Sequence, residues 1–169
     1  MGVAGSGKTT IGTRLAGALQ CAFLDADSLH SAQSVDRMRR GIPLTDADRT
    51  PWLVAIHARM LDALRSGRPL VVACSALTWA ARRVLAADVP ITWVYLKGSE
   101  DLIRARLARR EGHFARAELL TSQLEALEEP ADAIVADISR HPDAIVHDIL
   151  AALRLASRET GGRAAHEED

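Results

Sequence analysis

Aromatic residues are scarce in this sequence. They make up 4% of its 169 residues, whereas apolar residues of all kinds make up 48%. A core must therefore be built mainly from Ala, Leu, Val and Ile, which is an ordinary composition for a globular protein. The length suits one domain and is too short for two. We therefore expect a single domain over residues 1–156 and a polar tail over residues 157–169.

An excess of charge of either sign is also missing. The 21 Lys and Arg side chains nearly balance the 22 Asp and Glu side chains, which leaves a formal net charge of −1. Such a chain has no long-range field that would gather nucleic acid or an anionic membrane. We expect neither partner, and any bound anion must be held by a local site.

Cysteines and long apolar runs are rare as well. The two cysteines, Cys21 and Cys74, have neither the spacing of a metal site nor the density of a disulfide scaffold. The longest weakly polar run, residues 70–81, is too short to span a bilayer, and the first residues do not resemble a secretion signal. These features favour a cytoplasmic protein without a transmembrane helix.

The apolar residues that are present alternate between helical spacing and short unbroken runs. Unbroken runs are typical of parallel strands covered on both faces. Between the runs the spacing predicts helices, one of which should start at Pro51 with Thr50 as its N-cap and end at Gly67. The predicted strands cover residues 22–25, 70–74, 91–96 and 134–137. Strands that alternate with helices imply a three-layer α/β fold with a parallel sheet flanked by helices.

A phosphate-binding pattern occupies residues 2–9. The letters Gly-Val-Ala-Gly-Ser-Gly-Lys-Thr fit G-x-x-x-x-G-K-[ST] at every position. The glycines let backbone N–H groups converge on phosphate oxygens, and the helix that follows adds its positive N-terminal end. Lys8 should reach the β- and γ-phosphates of a nucleotide, and the Thr9 hydroxyl should bind Mg²⁺. The predicted nucleotide-binding residues here are Gly2, Gly5, Ser6, Gly7, Lys8, Thr9 and Thr10.

Two carboxylates end the predicted strand at residues 22–25. Asp25 and Asp27 lie two positions apart, so both side chains point to the same side of an extended chain at the edge where open α/β sheets bind ligands. One carboxylate could hold the hydrated metal, and the other could orient an acceptor hydroxyl and take its proton. The alternative is that one of them, most simply Asp25, caps the next helix.

Four blocks in order resemble the gluconokinase family. They are Phe-Leu-Asp-Ala-Asp-Ser-Leu-His at residues 23–30, Gly-Ile-Pro-Leu-Thr-Asp-Ala-Asp-Arg-Thr-Pro-Trp-Leu at 41–53, Cys-Ser-Ala-Leu at 74–77 and Gly-His-Phe at 112–114. The resemblance implies a P-loop kinase fold of the nucleoside-monophosphate-kinase type that transfers the γ-phosphoryl group of ATP to the 6-hydroxyl of D-gluconate. It further implies a substrate-binding segment at about residues 28–50 and a lid at about 106–122. Dimers are common in this family.

The resemblance assigns roles to individual residues. By position Asp27 is the general base and Asp25 belongs to the metal shell. Arg49 and Arg82 are candidates for the substrate carboxylate, because a guanidinium can hold it through two hydrogen bonds. Further substrate-binding candidates are His30, Ser75 and His113. Arg106 and Arg110 match lid arginines that fold over the phosphates, and Arg110 joins Lys8 and Asp27 as a predicted catalytic residue.

Some positions depart from the family pattern. Thr78 and Ala81 stand where members usually have Lys and Tyr, and Ser31 and Ser34 stand where Pro and Asn are usual. The first change removes a cation near the acceptor. Two other readings therefore stay open: a small-acid kinase of the shikimate kinase type, and a non-catalytic or truncated ATP-binding protein.

The phosphate loop raises one question about the start of the sequence. In the expected fold this loop follows the first, central strand, which pairs with the strands at 70–74 and 91–96, and here only Met1 precedes Gly2. We expect that Met1 is an internal methionine and that codons upstream encode a short apolar strand, because two unpaired neighbouring strands would promote aggregation.

Overall fold

The computed structural model describes residues 1–40, 42, 44–109 and 113–164. The helices and strands alternate along these residues, as the apolar pattern predicts. The helices are α1 Lys8–Leu19, α2 Ala32–Arg39, α3 Asp46–Arg65, α4 Trp79–Ala86, α5 Glu100–Ala108, α6 His113–Glu125 and α7 Pro142–Ala164. The strands are β1 Ala22–Asp25, β2 Leu70–Ala73, β3 Val94–Lys97 and β4 Ile134–Asp137, and a 3₁₀ turn covers Ala26–Leu29.

The strands pair in parallel, in two sheets of two strands each. Strand β1 pairs with β2 from Ala22 opposite Leu70 onward. Strand β3 pairs with β4 from Val94 opposite Ile134 onward. The parallel pairing confirms the fold class predicted from the alternating pattern.

Met1 and Gly2 lie between the two sheets and bond to both. The Met1 amino group donates to the Val94 carbonyl at 2.5 Å, and the Leu96 amide donates to the Met1 carbonyl at 3.0 Å. The Gly2 amide donates to the Ser75 carbonyl, just after β2, at 3.2 Å. These bonds begin a parallel ladder with β3 on one side and with the end of β2 on the other. The space between β2 and β3 is called the gap from here on.

A cavity of about 440 Å³ lies at this gap. It extends from the α1 side of the sheets to the α3 side, since Ile11 and Leu15 line one end and Met60 and Leu85 the other. Most of its wall is apolar. Strand β2, β3 and the chain before β3 supply the rest of the lining, namely Leu70, Val71, Val72, Ala73, Ile91, Trp93, Val94 and Leu96.

Helices cover both faces of the strands, as the unbroken apolar runs predict. Val71 and Leu96 pack in one core cluster with residues of α1, α5 and α7. Their neighbours Val72 and Tyr95 pack in a second cluster with residues of α3 and α4. Adjacent strand residues point to opposite faces, so the two clusters are the two sides of a three-layer fold. None of the helices among the described residues is long and apolar enough to cross a membrane.

Three element boundaries differ from the sequence prediction. Helix α3 begins at Asp46 rather than Pro51, because Thr45 and Asp48 form a capping box in which each side chain bonds the other residue's backbone amide. Strand β3 begins at Val94 rather than Ile91, and Val94 is also the first residue of this strand that bonds Met1. Helix α7 continues to Ala164, into the segment predicted as a polar tail.

Candidate active site

The phosphate loop leads directly into α1. Gly5 and Gly7 adopt positive φ angles of 82° and 95°, which L side chains rarely adopt. A Cβ at Gly5 would come within 2.9 Å of the Leu107 side chain on α5, so the loop is also packed too tightly there for any larger residue. Helix α1 begins at Lys8, and the N–H groups of its first turn therefore face the loop.

The predicted phosphate-contacting side chains surround this loop. Lys8 Nζ donates to the Val3 carbonyl at 3.0 Å. Arg106, on α5, donates to the Ile138 carbonyl at 2.6 Å, and its guanidinium lies 4.0 Å from a Cβ built on Gly7. Thr10 follows on α1 and is exposed. Lys8 and Arg106 thus bring two cations to the edge of the loop.

Thr9 and Asp25 form the meeting point of the loop and β1. Thr9 Oγ1 donates to Asp25 Oδ2 at 2.9 Å. Asp25 Oδ1 accepts the Asp27 amide at 3.1 Å and so caps the 3₁₀ turn. Asp25 therefore caps the turn, which is one of the two alternatives that the sequence left open, and its role as a metal ligand stays a prediction.

A magnesium ion fits this pair of residues. Hydroxyl and carboxylate oxygens are hard ligands of the kind that Mg²⁺ takes, and Mg²⁺ usually completes its shell with water and substrate phosphates. Among the described residues, no group of three or more His, Cys, Asp or Glu side chains could enclose a metal without such a substrate. Thr9 and Asp25 supply two oxygen ligands, so an ion here would need the rest of its shell from water and substrate.

Asp27 projects into solvent next to a buried histidine. The Asp27 side chain is 78% exposed, whereas the His30 side chain is 5% exposed, and His30 Nε2 lies 4.0 Å from Asp27 Oδ1. His30 stacks on Trp52 with ring centroids 4.3 Å apart. Burial lowers the pKa of His30, and the nearby Asp27 carboxylate opposes that effect only in part. The histidine is therefore neutral near pH 7.

Arg49 lies close to this pair, at the first turns of α3. It opposes a positive charge on His30 and so lowers the pKa of that ring further. Its guanidinium is 3.4 Å from Asp46, in an ion pair whose arginine side chain is 43% exposed. The arginine is thus accessible to a ligand that approaches Asp27.

Ser75 and Arg82 shape the loop after β2. The Ser75 carbonyl holds the Gly2 amide, which places this loop beside the phosphate loop. Arg82 is 8% exposed, and its Nη1 donates to the carbonyls of Ala76 and Leu77 at 3.1 and 3.0 Å. Ala76 has a φ angle of 45°, an uncommon conformation for a residue with a Cβ. The structure therefore shows Arg82 supporting this loop, and its role as a substrate ligand stays a prediction.

Two predicted residues fall at the edge of what the structure describes. Arg110 lies outside the described residues. His113 is the first residue of α6, and its side chain is not among those described. Their predicted roles in the lid and at the substrate stay predictions.

Two residues that contact the site were not singled out from the sequence. Trp52 is one residue of the block at 41–53 and had no site role assigned, but its Nε1 donates to the Ala26 carbonyl at 2.6 Å and its ring supports His30. Gln123 Oε1 accepts the Ala4 amide at 2.6 Å. No local signal marks Gln123, because its partner is 119 positions away.

Comparisons with known proteins agree with this geometry. The family described as an AAA domain matches residues 1–133. A gluconokinase of Gluconobacter oxydans is 42% identical over 154 residues, which are 89% of this chain and 86% of that protein. The thermoresistant gluconokinase of Escherichia coli is 36% identical over 159 residues, 91% of each chain. The chain belongs to the gluconokinase family.

A solved structure extends the likeness to three dimensions. The crystal structure of a gluconokinase from Sinorhizobium meliloti superposes with a TM-score of 0.84 at 38% identity, over 96% of this chain and 94% of the other. The family resemblance and the P-loop kinase fold predicted from the sequence are both confirmed.

The departures from the gluconokinase pattern have local structural roles. Thr78 is the N-cap of α4 and accepts the Ala81 amide. Ser31 is the N-cap of α2 and accepts the Ser34 amide, and the two serine hydroxyls are 3.0 Å apart. Both changes therefore supply helix caps at the border of the acceptor region.

Proposed function

We propose that the protein phosphorylates the 6-hydroxyl of D-gluconate with ATP, giving 6-phosphogluconate and ADP. The observation that carries this proposal is the hydrogen bond from Thr9 to Asp25. It joins the phosphate loop to the strand end that presents Asp27, only two residues further along. A nucleotide on the loop and an acceptor at Asp27 would therefore be neighbours.

The donor side of the reaction is the phosphate loop. Lys8 would exchange its bond to the Val3 carbonyl for the β- and γ-phosphate oxygens, and Arg106 would add a second cation from α5. Charge spread over the transferring group is offset by such fixed cations. Thr9 and Asp25 would hold Mg²⁺, which, when bound with ATP, draws charge from the β- and γ-phosphates.

The acceptor side is Asp27 with its neighbours. The Asp27 carboxylate would orient the 6-hydroxyl of gluconate and take its proton as the new O–P bond forms and the bond between the γ-phosphorus and the β-γ bridging oxygen breaks. His30, held by Trp52, would offer a neutral ring nitrogen to a sugar hydroxyl. The exposed Arg49 guanidinium would hold the substrate carboxylate.

The remaining roles complete this proposal. Arg110 and His113 would close over the reacting groups as part of the lid, with Ser75 and Arg82 at the back of the acceptor pocket.

We place the reaction in the cytoplasm, in carbohydrate metabolism, with no nucleic acid or membrane as a partner. Support comes from the near-zero net charge and from two cysteines that are both free. A homodimer is proposed from the family resemblance and is checked by light scattering.

A coupled ADP-release assay tests the activity. The chain is assayed with Mg²⁺ and ATP against gluconate, other sugar acids, shikimate and uncharged glucose. We expect gluconate to give the highest kcat/KM. ADP release that is equal with and without every acceptor would contradict the proposal. A preference for shikimate would support the other small-acid kinase reading.

A further inference from the structure

The last turn of α6 is bonded to the phosphate loop. Gln123 Oε1 accepts the Ala4 amide at 2.6 Å, in a partly buried contact. Helix α6 begins at His113 and overlaps the predicted lid at about residues 106–122, and Gln123 directly follows that segment. A side chain at the end of the predicted lid therefore contacts the backbone of the phosphate loop.

The peptide that Gln123 holds also holds the catalytic lysine. The Val3 carbonyl accepts Lys8 Nζ at 3.0 Å and the Ser6 amide at 3.2 Å. The Val3 carbonyl and the Ala4 N–H belong to one planar peptide group, and they point in opposite directions. Fixing the N–H on one side therefore fixes the direction of the carbonyl on the other.

The end of α6 is itself held in place by its surroundings. Arg104, on α5, donates to the Thr121 hydroxyl at 3.2 Å. Beyond the helix, the Glu128 amide donates to the Leu77 carbonyl at 3.0 Å. Gln123 lies between these two attachments, so its oxygen has a defined position from which to orient the loop.

We propose that Gln123 is a positioning residue that orients the Val3–Ala4 peptide and thereby sets the position from which Lys8 engages ATP. The proposal rests on the proposed function only for the role of Lys8. It makes the geometry of the phosphate loop depend on α6. A shift of α6 would therefore turn the peptide to which Lys8 is bonded.

Gln123→Met tests the proposal, since Met has a similar length but offers no oxygen to the Ala4 amide. A lost hydrogen bond of this kind is worth about 0.5–1.5 kcal/mol. Because ATP must then order the loosened loop, we expect binding of Mg·ATP to weaken by roughly twofold and by no more than about tenfold. Binding is measured by calorimetry without any sugar acid. Failure of the gluconate assignment would therefore leave this measurement intact. Hydrogen exchange of the Ala4 amide should become faster in the same variant.

Control variants separate positioning from simple loss of stability. Ser122→Ala removes a hydroxyl that bonds only within α6, to the Leu119 carbonyl, and should leave ATP affinity unchanged. Gln123→Asn shortens the side chain by one methylene and provides a second, milder variant if Gln123→Met does not fold. ATP affinity equal to the unaltered chain in the folded variant overturns the proposal, and so does a fall in melting temperature with no change in ATP affinity.

Discussion

Thr9 Oγ1 lies 2.9 Å from Asp25 Oδ2, and this bond joins the first turn of α1 to the carboxyl end of β1. The two residues are 16 positions apart and belong to different elements. Their contact distinguishes Asp25, the last residue of β1, from Asp27 in the 3₁₀ turn that follows. Asp25 faces the phosphate loop, and Asp27 faces solvent.

The first prediction separates these two carboxylates. Asp27→Asn should lower kcat by at least about 100-fold, because it removes the proposed general base, while ATP affinity changes little. Asp25→Asn should instead raise the Mg²⁺ concentration needed for half-maximal rate, since a ligand of the ion loses its charge. An Asn at position 25 can still accept the Asp27 amide and cap the turn. Steady-state kinetics at varied Mg²⁺ check both, and the reverse pattern would mean that the roles are exchanged.

The second prediction concerns Lys8. Lys8→Ala should lower kcat by about 100-fold or more, because a fixed charge beside the transferring phosphoryl group is typically worth several kcal/mol. Circular dichroism should show an unchanged fold. Arg14→Ala is the matched control on the same helix, since Arg14 pairs with Asp143 on the surface and should retain full activity. A near-normal rate for Lys8→Ala would remove the phosphate loop from the mechanism.

The third prediction concerns the substrate carboxylate. Arg49→Met should raise the gluconate KM about tenfold or more and erase the preference for gluconate over glucose, because a charge-assisted pair is lost. The ATP KM should not change. Arg65→Met alters an exposed arginine at the far end of α3 and serves as the control. A preference that survives in Arg49→Met would reassign the carboxylate to another cation.

The fourth prediction concerns the gap between β2 and β3. An apolar segment such as Val-Val-Ile-Val joined to Met1 should enter the gap as a parallel strand, because Met1 already bonds Val94 and Leu96 in that register. Burying four such side chains at about 1.5–3 kcal/mol each, less the entropy of ordering them, should raise the free energy of unfolding by several kcal/mol. Calorimetry compares it with a Ser-Gly-Asn-Ser segment of equal length. Equal melting temperatures would show that the gap does not accept a strand.

The pH dependence of stability gives a second readout of the same change. Burial, aided by the charge of Lys8, lowers the pKa of the Met1 amino group from 8.0 to about 5. The unfolded chain therefore binds more protons between pH 8 and pH 5, and stability falls as the pH falls through that window, by up to about 4 kcal/mol. An extended chain has a peptide bond there and should lose this contribution. The histidines are common to both chains, so the difference between their stability profiles isolates the amine.

Much of the fold could be predicted because its signals are local. Strand β1 at Ala22–Asp25 and the start of α1 at Lys8 follow from an unbroken apolar run and from the glycine loop. The predicted start of α3 was wrong. Pro51 matches the pattern of a first helical residue, but Thr45 and Asp48 form a complete capping box further upstream. Pro51 lies in the second turn of α3, where its missing N–H removes one backbone hydrogen bond, and the helix continues through it.

The site was predictable only where its residues are adjacent in sequence. Asp25 and Asp27 could be found from their spacing and position after a strand. The support that Trp52 gives to His30, and that Gln123 gives to Ala4, depends on how separate elements pack. Arg82 shows the same limit, because its bonds to the Ala76 and Leu77 carbonyls depend on the path of the loop after β2.

Met1 and Gly2 connect the two sheets at the start of the phosphate loop. Met1 bonds Val94 and Leu96 of β3, and Gly2 bonds Ser75, just after β2. A nucleotide bound to the loop would therefore restrain both sheets at once. Bound ATP should therefore slow hydrogen exchange in β2 and β3 together, and not only in the loop that it touches, because local unfolding of either sheet would release the ligand.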